Sequence, residues 1–439
     1  MKQQVHFIGI GGIGVSALAR YYLAKDWQVS GSDLTASEIT DDLQTEGAKV
    51  YIGHGASYVN PRAKLVIYSV AVQENNPELK EAKALQIPVA SYAEALGDLT
   101  KQYITIAVSG AHGKSTTTAF LALMLIKAGL DPTVIIGTRL REFKGKNFRL
   151  GKSRYLIIEA DEWNRSFWRY HPAVAVITNI DKEHLDTYKD LTGVIKAFNH
   201  YLKNIPAGAT AIINASDKNS VLASKGCKCK IVTYYKGGKL TEHWPLKIPG
   251  HFNQLNAEAA WQAAKIFGIK KSVARKAVME YKGSWRRMEP LGLPSLVTAR
   301  EQVSGTFYSD YAHHPNEIQA TIGAFKEKYP SRKLLVVFQP HQAERLTNLF
   351  DDFVTCFDQT DELALLPTYE VAGRELGGDV KKIEDLYVAV KERLKPRSVF
   401  YLKNFNEAFK LIRGQVVVFM GAGDIDKSVR KYFVSKLLT

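Results

Sequence analysis

A single strand–loop–helix segment constrains the fold of this chain more than any other part of its sequence. Residues 105–118 read TIAVSGAHGKSTTT, an apolar run that enters a glycine-containing turn and continues into a helical pattern. Glycines let backbone N–H groups converge on phosphate oxygens, and the start of a helix adds partial positive charge. Lys114 can neutralise the outer phosphates, and the Ser115 hydroxyl can hold Mg²⁺. The segment predicts a nucleoside triphosphate site on a shortened P-loop, because Val108 stands where the full pattern has a glycine.

A second glycine motif lies near the N-terminus. Gly9, Gly11 and Gly14 follow a strand pattern and precede a helical one, and Asp33 comes at the end of the next predicted strand. This is the layout of a Rossmann-type unit, in which the turn approaches a diphosphate and the acidic residue binds a ribose hydroxyl. The motif predicts a bound nucleotide diphosphate without specifying which nucleotide it is.

Short apolar segments alternate with helical patterns along the whole chain. Runs of this kind are typical of parallel strands that are buried on both faces. We therefore expect an α/β protein of three domains, with ligand-binding turns at the carboxyl ends of the strands. They are an N-terminal Rossmann-like domain (residues 1–98), a central P-loop ATPase-like domain with a parallel sheet (residues 99–286) and a C-terminal Rossmann-like domain (residues 287–439).

The composition argues against several classes of protein. The 439 residues carry 59 basic and 44 acidic side chains, a net charge of +15, but the basic residues are scattered and form no nucleic-acid-binding motif. No apolar run approaches the roughly 20 residues that a membrane span needs, and we find no secretory signal. Three cysteines do not suffice for a disulfide framework and fit a reducing cytoplasm. We expect a cytoplasmic monomer or homodimer that binds small molecules, with no nucleic-acid partner and no membrane insertion.

Ionisable residues follow further strand patterns. Glu159, Asp161 and Glu162 come directly after an apolar run, and His184 follows the next one. Carboxylate oxygens are the ligands that Mg²⁺ prefers, so Glu159 is the favoured metal ligand, ahead of Asp161 and Glu162, although a helix with acidic residues in its first turn would explain the same pattern. His184 is predicted either to bind a metal or to position a phosphate. Asp310, in a cluster of ionisable residues before a helix, can accept a hydrogen bond from a ribose.

Taken together, these motifs occur in the order found in one family, the Mur ligases, which the sequence resembles over nearly its whole length. The matching segments are residues 6–14, 110–117, 159–162, 179–186, 250–256, 286–287, 310–315 and 338–341. Mur ligases are ATP-dependent enzymes that form the amide bonds of the peptidoglycan peptide, a step of cell wall synthesis. Within the family, the sequence is most similar to the branch that attaches L-alanine to UDP-N-acetylmuramate.

The resemblance implies roles for individual residues. It implies that ATP is bound by Gly110, His112, Gly113, Lys114, Ser115, Thr116, Asn253, Asn256, Arg287 and Asp310. It implies that UDP-N-acetylmuramate is bound by Gly11, Gly12, Ile13, Gly14, Asp33 and Ser69, and the incoming amino acid by His313 and Arg345. The implied catalytic residues are Lys114, Glu159 and His184, with Ser115 and Glu159 serving one Mg²⁺ and His184 a second.

The chemistry that the resemblance implies has two steps. The muramyl carboxylate attacks the γ-phosphate of ATP, and the amino acid then attacks the resulting acyl phosphate. One departure concerns the amino acid, because Gln342 stands where the family usually has an arginine, and a bidentate partner for a carboxylate is lost. Glycine or L-serine therefore stays open as the added residue. Three other functions also stay open: a recycling ligase that attaches a tripeptide, a nicotinamide-dependent oxidoreductase, and a P-loop protein without ligase chemistry.

Overall fold

The computed structural model describes residues 2–292, 296–297, 302–370, 380–394 and 398–437. The chain divides into two compact units. The first unit consists of Met1–Lys247 and Asn253–Lys282, and the second of Ile248–Phe252 and Gly283–Thr439. In the described ranges, no helix is long and apolar enough to cross a membrane.

The first sheet belongs to the first unit and is entirely parallel. Its strands are β1 (Gln4–Ile8), β2 (Gln28–Asp33), β3 (Lys49–Ile52), β4 (Leu65–Tyr68) and β5 (Val89–Ser91), and its helices are α1 (Ile13–Ala24), α2 (Glu38–Thr45), α3 (Pro77–Ala84) and α4 (Tyr92–Thr100). The strand order is β3-β2-β1-β4-β5, so the direction of winding reverses between β1 and β4. Parallel sheets bind ligands at the carboxyl ends of the strands beside such a reversal.

Local sequence explains where three of these helices begin. Ser37 and Ser91 cap α2 and α4, and each takes part in a capping box. Asn76 accepts hydrogen bonds from the first backbone N–H groups of α3, whose first residue is Pro77. Helix α1 differs, because Gly12 at its N-cap has no side chain to cap it. The N–H groups at the start of α1 therefore point toward the glycine turn without a side-chain acceptor at the cap.

The second sheet also belongs to the first unit. Its strands are β6 (Ile104–Ser109), β7 (Thr133–Leu140), β8 (Lys146–Arg149), β9 (Tyr155–Glu159), β10 (Val174–Ile177), β11 (Thr210–Asn214) and β12 (Lys230–Tyr234), and its helices are α5 (Lys114–Lys127), α6 (Leu185–Tyr188), α7 (Leu191–Asn204), α8 (Lys218–Ala223), α9 (His251–Ile266) and α10 (Lys271–Glu280). The order is β12-β11-β10-β6-β9-β7-β8. Every residue of β10 is buried, as expected for an apolar strand covered on both faces.

The expectation of a parallel central sheet is wrong for its edge strand β8. This strand pairs antiparallel with β7. The reason is the length of the connection, since only residues 141–145 separate the two strands, and a parallel crossover needs about a dozen residues or more. Lys144 and Gly145 have φ angles of 56° and 76°, which complete the tight turn.

The third sheet belongs to the second unit. Its strands are β13 (Glu289–Pro290), β16 (Thr306–Asp310), β17 (Leu334–Phe338), β18 (Glu362–Leu365), β19 (Ser398–Tyr401) and β20 (Val416–Met420), while β14 (Leu296–Val297) and β15 (Gln302–Val303) pair with each other. Its helices are α11 (Pro315–Lys328), α12 (Ala343–Asn348), α13 (Phe350–Cys356), α14 (Ile383–Arg393) and α15 (Ile425–Leu437). The order is β13-β16-β20-β17-β18-β19, and among the described strands of this sheet only β13 pairs antiparallel with its neighbour, β16.

The cysteines form one local bond. Cys227 and Cys229 are joined as a disulfide, and Cys356 is a free, buried thiol. The bond joins two nearly adjacent residues just before β12 and does not connect separate helices or strands. It agrees with the expectation that three cysteines do not form a disulfide framework. The sequence analysis did not anticipate this pairing.

Candidate active site

The turn between β6 and α5 is shaped around two glycines. Gly110 and Gly113 have φ angles of 130° and 84°, in the region that favours glycine. Neither position has room for a side chain. A methyl group at Gly113 would collide with the Asn256 amide, and one at Gly110 would collide with Thr178 and Asn179. No side chain caps α5 at Gly113. The backbone N–H groups at the start of α5 therefore have no side-chain acceptor at the cap and suit phosphate oxygens.

The segment after β10 braces this turn. Asn179 Oδ1 accepts a hydrogen bond from the His112 N–H at 3.0 Å, and Asn179 Nδ2 donates to the His112 carbonyl at 2.9 Å. The Asn179 carbonyl accepts from the Ala111 N–H at 3.0 Å, and the Thr178 hydroxyl donates to the His112 carbonyl at 2.6 Å. The sequence analysis gave Thr178 and Asn179 no role. Strand β10 lies beside β6, and this adjacency brings them to the loop.

Lys114 lies folded over the same turn. Its Nζ donates to the Gly110 carbonyl at 2.7 Å and to Glu162 Oε1 at 3.0 Å. Burial lowers the pKa of the Lys114 ammonium, but the carboxylates of Glu162, Asp161 and Glu159 outweigh burial and hold the pKa above its usual value. Burial also raises the pKa of the Glu162 carboxyl, against the attraction of Lys114. Lys114 is therefore a cation at the mouth of the loop, where phosphate oxygens would compete with Glu162 for it.

The two residues predicted to share one metal lie side by side. The Ser115 hydroxyl donates to Glu159 Oε1 at 3.0 Å. The other carboxylate oxygen of Glu159 accepts from the Gly137 N–H at 2.8 Å, and a methyl group at Gly137 would come within 2.9 Å of this carboxylate. Strand β7 therefore fixes the carboxylate beside Ser115, and the pair presents two oxygen donors of the kind that Mg²⁺ prefers.

A second group of potential metal ligands lies in the same unit. Ligand atoms of Asp161, Glu162 and His184 all lie within 4.8 Å of one another. His184 Nε2 is 3.7 Å from Glu162 Oε1 and 3.9 Å from Asp161 Oδ1. His184 has a φ of 53°, which is uncommon for a residue with a side chain and is often found at functional sites. The sequence analysis named all three residues but did not foresee that they form one group.

Helix α9 brings two buried asparagines to the loop. Asn256 Oδ1 accepts a hydrogen bond from the Thr117 hydroxyl at 3.3 Å, and Asn256 Nδ2 donates to Asn253 Oδ1 at 3.4 Å. Thr116, also buried, lies in the first turn of α5. Asn256 therefore lies against the phosphate cradle, and Asn253 lies one turn earlier on the same helix.

The N-terminal glycine turn brings together the ends of β1, β2 and β4. The Gly11 N–H donates to Asp33 Oδ2 at 2.9 Å. Gly9 has a φ of 79°, and a methyl group there would come within 2.9 Å of Ser69 Cβ. Gly12 caps α1, and Ile13 is its first residue. The predicted substrate residues thus line one turn, although the Asp33 carboxylate is already engaged by the Gly11 amide.

In the second unit, Asp310 lies buried at the end of β16. Its carboxylate accepts hydrogen bonds from the Met288 N–H at 2.6 Å and the Ala312 N–H at 2.8 Å. Burial raises the pKa of Asp310 to about 6, although Arg287 and the two N–H donors oppose the rise. The carboxyl group therefore changes its charge near pH 6.

Arg287 and His313 share one acidic neighbour. The Arg287 guanidinium is 3.8 Å from Glu317 Oε1, and the His313 N–H donates to Glu317 Oε2 at 3.2 Å. The guanidinium also lies over the Tyr311 ring, 5.0 Å from its centroid. Glu317 thus holds the two residues that the sequence analysis assigned to different ligands, ATP and the amino acid.

The segment after β17 carries the departure from the family pattern. Gln342 has a φ of 70°, and its N–H donates to the Tyr369 carbonyl at 3.0 Å. His341 stacks on the Tyr369 ring, and its own ring centroid is 6.2 Å from that of His313. Arg345 is the third residue of α12. The His341 ring therefore contacts the rings of both His313 and Tyr369, just before the helix that carries Arg345.

Comparison with known proteins gives the class. Residues 4–104 match the Mur ligase family, catalytic domain, residues 108–245 the Mur ligase middle domain, and residues 286–423 the Mur ligase, glutamate ligase domain. The chain belongs to the Mur ligase family and is an ATP-dependent ligase. This confirms the predicted three-domain α/β fold. It also rules out two of the alternatives left open by the sequence, a nicotinamide-dependent oxidoreductase and a P-loop protein without ligase chemistry.

Several individual proteins are similar to this chain over nearly its whole length. UDP-N-acetylmuramate–L-alanine ligase of Aquifex aeolicus is 37% identical over 455 residues, covering 97% of this chain and 96% of the relative. The ligase of the same name from Caldanaerobacter subterraneus is 34% identical and covers 98% and 97%. The crystal structure of UDP-N-acetylmuramate-alanine ligase from Thermotoga maritima matches with a TM-score of 0.80 at 26% identity over 99% of both chains. A murein peptide ligase from Psychrobacter arcticus, at 22% identity and a TM-score of 0.71 over 99% and 98%, shares the fold.

Proposed function

We propose that this chain joins L-alanine to the carboxylate of UDP-N-acetylmuramate at the expense of ATP, in peptidoglycan biosynthesis. The observation that carries the proposal is the 37% identity, over 97% of the chain, to a ligase of that activity. The glycine turns after β1 and β6 support the proposal, since each precedes an uncapped helix N-terminus that suits a phosphate. A cytoplasmic location, where ATP is supplied, is part of the proposal.

The proposed division of labour follows the three sheets. An N-terminal domain of residues 1–98 binds the sugar nucleotide, a central domain of residues 99–286 binds ATP, and a C-terminal domain of residues 287–439 binds the amino acid. This division is supported by the topology, since the strands of each sheet fall within one range.

In the central domain, the glycine turn and the N-terminus of α5 bind the phosphates of ATP. Lys114 exchanges its contact with Glu162 for the phosphate oxygens, a step favoured by its positive charge and its position over the loop. Asn253 and Asn256 contact the nucleotide from α9, supported by the position of Asn256 against Gly113. His112 and Thr116 complete the proposed ATP site at the glycine turn and the first turn of α5, where Asn179 holds the His112 backbone in place.

Mg²⁺ fits the donor set of the same domain. Ser115 and Glu159 would hold one ion through adjacent oxygens, and His184 would help to hold a second with Asp161 and Glu162. When bound, Mg²⁺ neutralises the phosphate charge and so permits two anions to approach each other.

The proposed reaction proceeds through an acyl phosphate. A carboxylate oxygen of UDP-N-acetylmuramate attacks the γ-phosphorus, and the bond from that phosphorus to the ADP oxygen breaks. The amino group of L-alanine then attacks the acyl carbon, its proton passes to a base, and inorganic phosphate leaves with the carbon–oxygen bond electrons. Lys114 and the N-terminus of α5 stabilise the charge that develops on the phosphoryl oxygens.

Arg287 and Asp310 are proposed to bind ATP from the C-terminal domain, and His313 and Arg345 to place the amino acid. Gln342 weakens the proposed clamp on the alanine carboxylate, since an amide cannot replace a bidentate guanidinium. We therefore expect the Gln342→Arg variant to lower the KM for L-alanine in steady-state assays while the KM for ATP stays unchanged. An unchanged KM for L-alanine would remove position 342 from the amino-acid site.

Phosphate release tests the proposal. The full chain is incubated with ATP, Mg²⁺ and UDP-N-acetylmuramate, with each amino acid singly and with the tripeptide of the recycling branch. We expect release with L-alanine and formation of the alanyl product by mass spectrometry. Release with glycine or L-serine alone would contradict the L-alanine specificity, and release with the tripeptide alone would assign the chain to the recycling branch.

A further inference from the structure

Tyr92 lies against the N-terminal glycine turn, although no motif includes it. It is the first residue of α4, directly after β5. A methyl group at Gly14 would come within 2.9 Å of both Cζ and the hydroxyl oxygen of Tyr92. The phenol therefore stands over the first turn of α1, where the diphosphate of the sugar nucleotide is proposed to bind.

The Tyr92 hydroxyl is free to bind a ligand. The residue is half-buried, and within the part of the chain that the structure describes its hydroxyl forms no hydrogen bond. Some other tyrosines of the same unit are engaged, such as Tyr188, whose hydroxyl donates to the Glu162 carbonyl, and Tyr21, which contacts Tyr103 at 3.3 Å. The Tyr201 hydroxyl also has no partner among the described residues, but it is fully buried and away from any glycine turn. A bound anion can therefore accept a hydrogen bond from the Tyr92 hydroxyl without displacing a protein partner.

The surroundings of Tyr92 keep it a donor. Burial raises the pKa of the phenol, and the negative charges of Asp161 and Glu159 raise it further. The hydroxyl therefore keeps its proton at neutral pH. Helix α1 carries no acidic residue in its first turn, so no side chain there competes as the acceptor.

We infer that Tyr92 is a substrate-binding residue whose hydroxyl donates a hydrogen bond to the diphosphate of the sugar nucleotide at the start of α1. The inference rests on the proposed function, which supplies the diphosphate. It adds α4 to a site otherwise formed by the turns after β1, β2 and β4. The phenol would then complement the backbone N–H groups of α1, with both kinds of donor directed at one anion.

The Tyr92→Phe variant separates this role from packing. Phenylalanine keeps the ring over Gly14 and removes only the oxygen, so the fold is retained. The matched control is Tyr103→Phe, which removes a hydroxyl that contacts Tyr21 in the same unit. Thermal denaturation of both variants checks that each is folded.

Calorimetric titration of the full-length chain with UDP alone, and separately with UDP-N-acetylmuramate, provides the readout. We expect Tyr92→Phe to bind both ligands roughly 10- to 100-fold more weakly than the wild type, the effect of losing a hydrogen bond to a charged group. Its affinity for ATP and the affinities of Tyr103→Phe should match the wild type.

Two results would overturn the inference. Wild-type affinity of Tyr92→Phe for UDP and UDP-N-acetylmuramate would give the hydroxyl no role in binding. A loss confined to UDP-N-acetylmuramate would move the contact from the diphosphate to the sugar. Failure of the proposed function is distinguishable from both, because it would appear in the wild type as failure to bind the sugar nucleotide or to form the alanyl product.

Discussion

Replacing Gly113 by alanine tests whether the phosphate loop is constrained by its backbone and by Asn256 together. At a φ of 84°, a side chain costs about 1–2 kcal/mol. The collision of the new methyl group with the Asn256 amide destabilises the folded state by a further ~1–3 kcal/mol, the cost of overpacking. Alanine also lowers the conformational entropy of the unfolded chain, which offsets about 0.4–1 kcal/mol of this loss. We expect the free energy of unfolding to fall by roughly 1–5 kcal/mol, the sum of these terms.

Gly129, just beyond the other end of α5, provides a matched control. Its φ is 79°, and a methyl group there would meet nothing within 4 Å. Urea unfolding of the two alanine variants should differ by about 1–3 kcal/mol, which isolates the collision. Adding Asn256→Ala to Gly113→Ala should recover part of that difference. Equal stability of the Gly113→Ala and Gly129→Ala variants would show that contact with Asn256 does not constrain position 113.

Lys114→Ala should abolish phosphate release while circular dichroism stays unchanged, and near-normal turnover would contradict its role at the phosphates. The pKa of Asp310 is about 6, and its protonated carboxyl accepts fewer hydrogen bonds than the carboxylate. ATP affinity should therefore fall as the pH drops below about 6. Titrations with ATP on both sides of this pH test the prediction, and an affinity that does not change with pH would contradict it. The contribution of Asp310 to stability has the opposite sign, being full below its usual pKa and lost as the pH rises through about 6. Asn147→Ala removes buried hydrogen bonds to the Ile13 carbonyl, the Ser16 hydroxyl and the Arg20 guanidinium. Urea unfolding should therefore show a free energy of unfolding that is about 2–4 kcal/mol lower. A decrease below about 0.5 kcal/mol would contradict this prediction.

The parts of this protein that sequence predicts are those with local causes. The glycine turns are predictable because their φ angles and close contacts require glycine at fixed places between a strand and a helix. The alternation of apolar strands and helices predicts the α/β class for the same reason. The length of the connection from β7 to β8 would also have predicted the antiparallel edge strand, had it been compared with what a crossover needs.

What sequence did not predict depends on which strands become neighbours. Glu162 and His184 are brought together only because β9 and β10 flank β6. Asn179 braces the phosphate loop for a similar reason, and Tyr92 reaches Gly14 through the first sheet. Hydrophobic periodicity carries no information on such long-range pairs, so their chemistry appears only in the folded chain.

We propose that this chain activates the carboxylate of UDP-N-acetylmuramate with ATP and transfers the acyl group to L-alanine. The most direct test uses UDP-N-acetylmuramate with a heavy oxygen isotope in its carboxylate, incubated with the full-length chain, ATP, Mg²⁺ and L-alanine. We expect mass spectrometry to find one heavy oxygen in the released phosphate and an alanyl product that has lost one. Unlabelled phosphate, or phosphate release without the alanyl product, would contradict it.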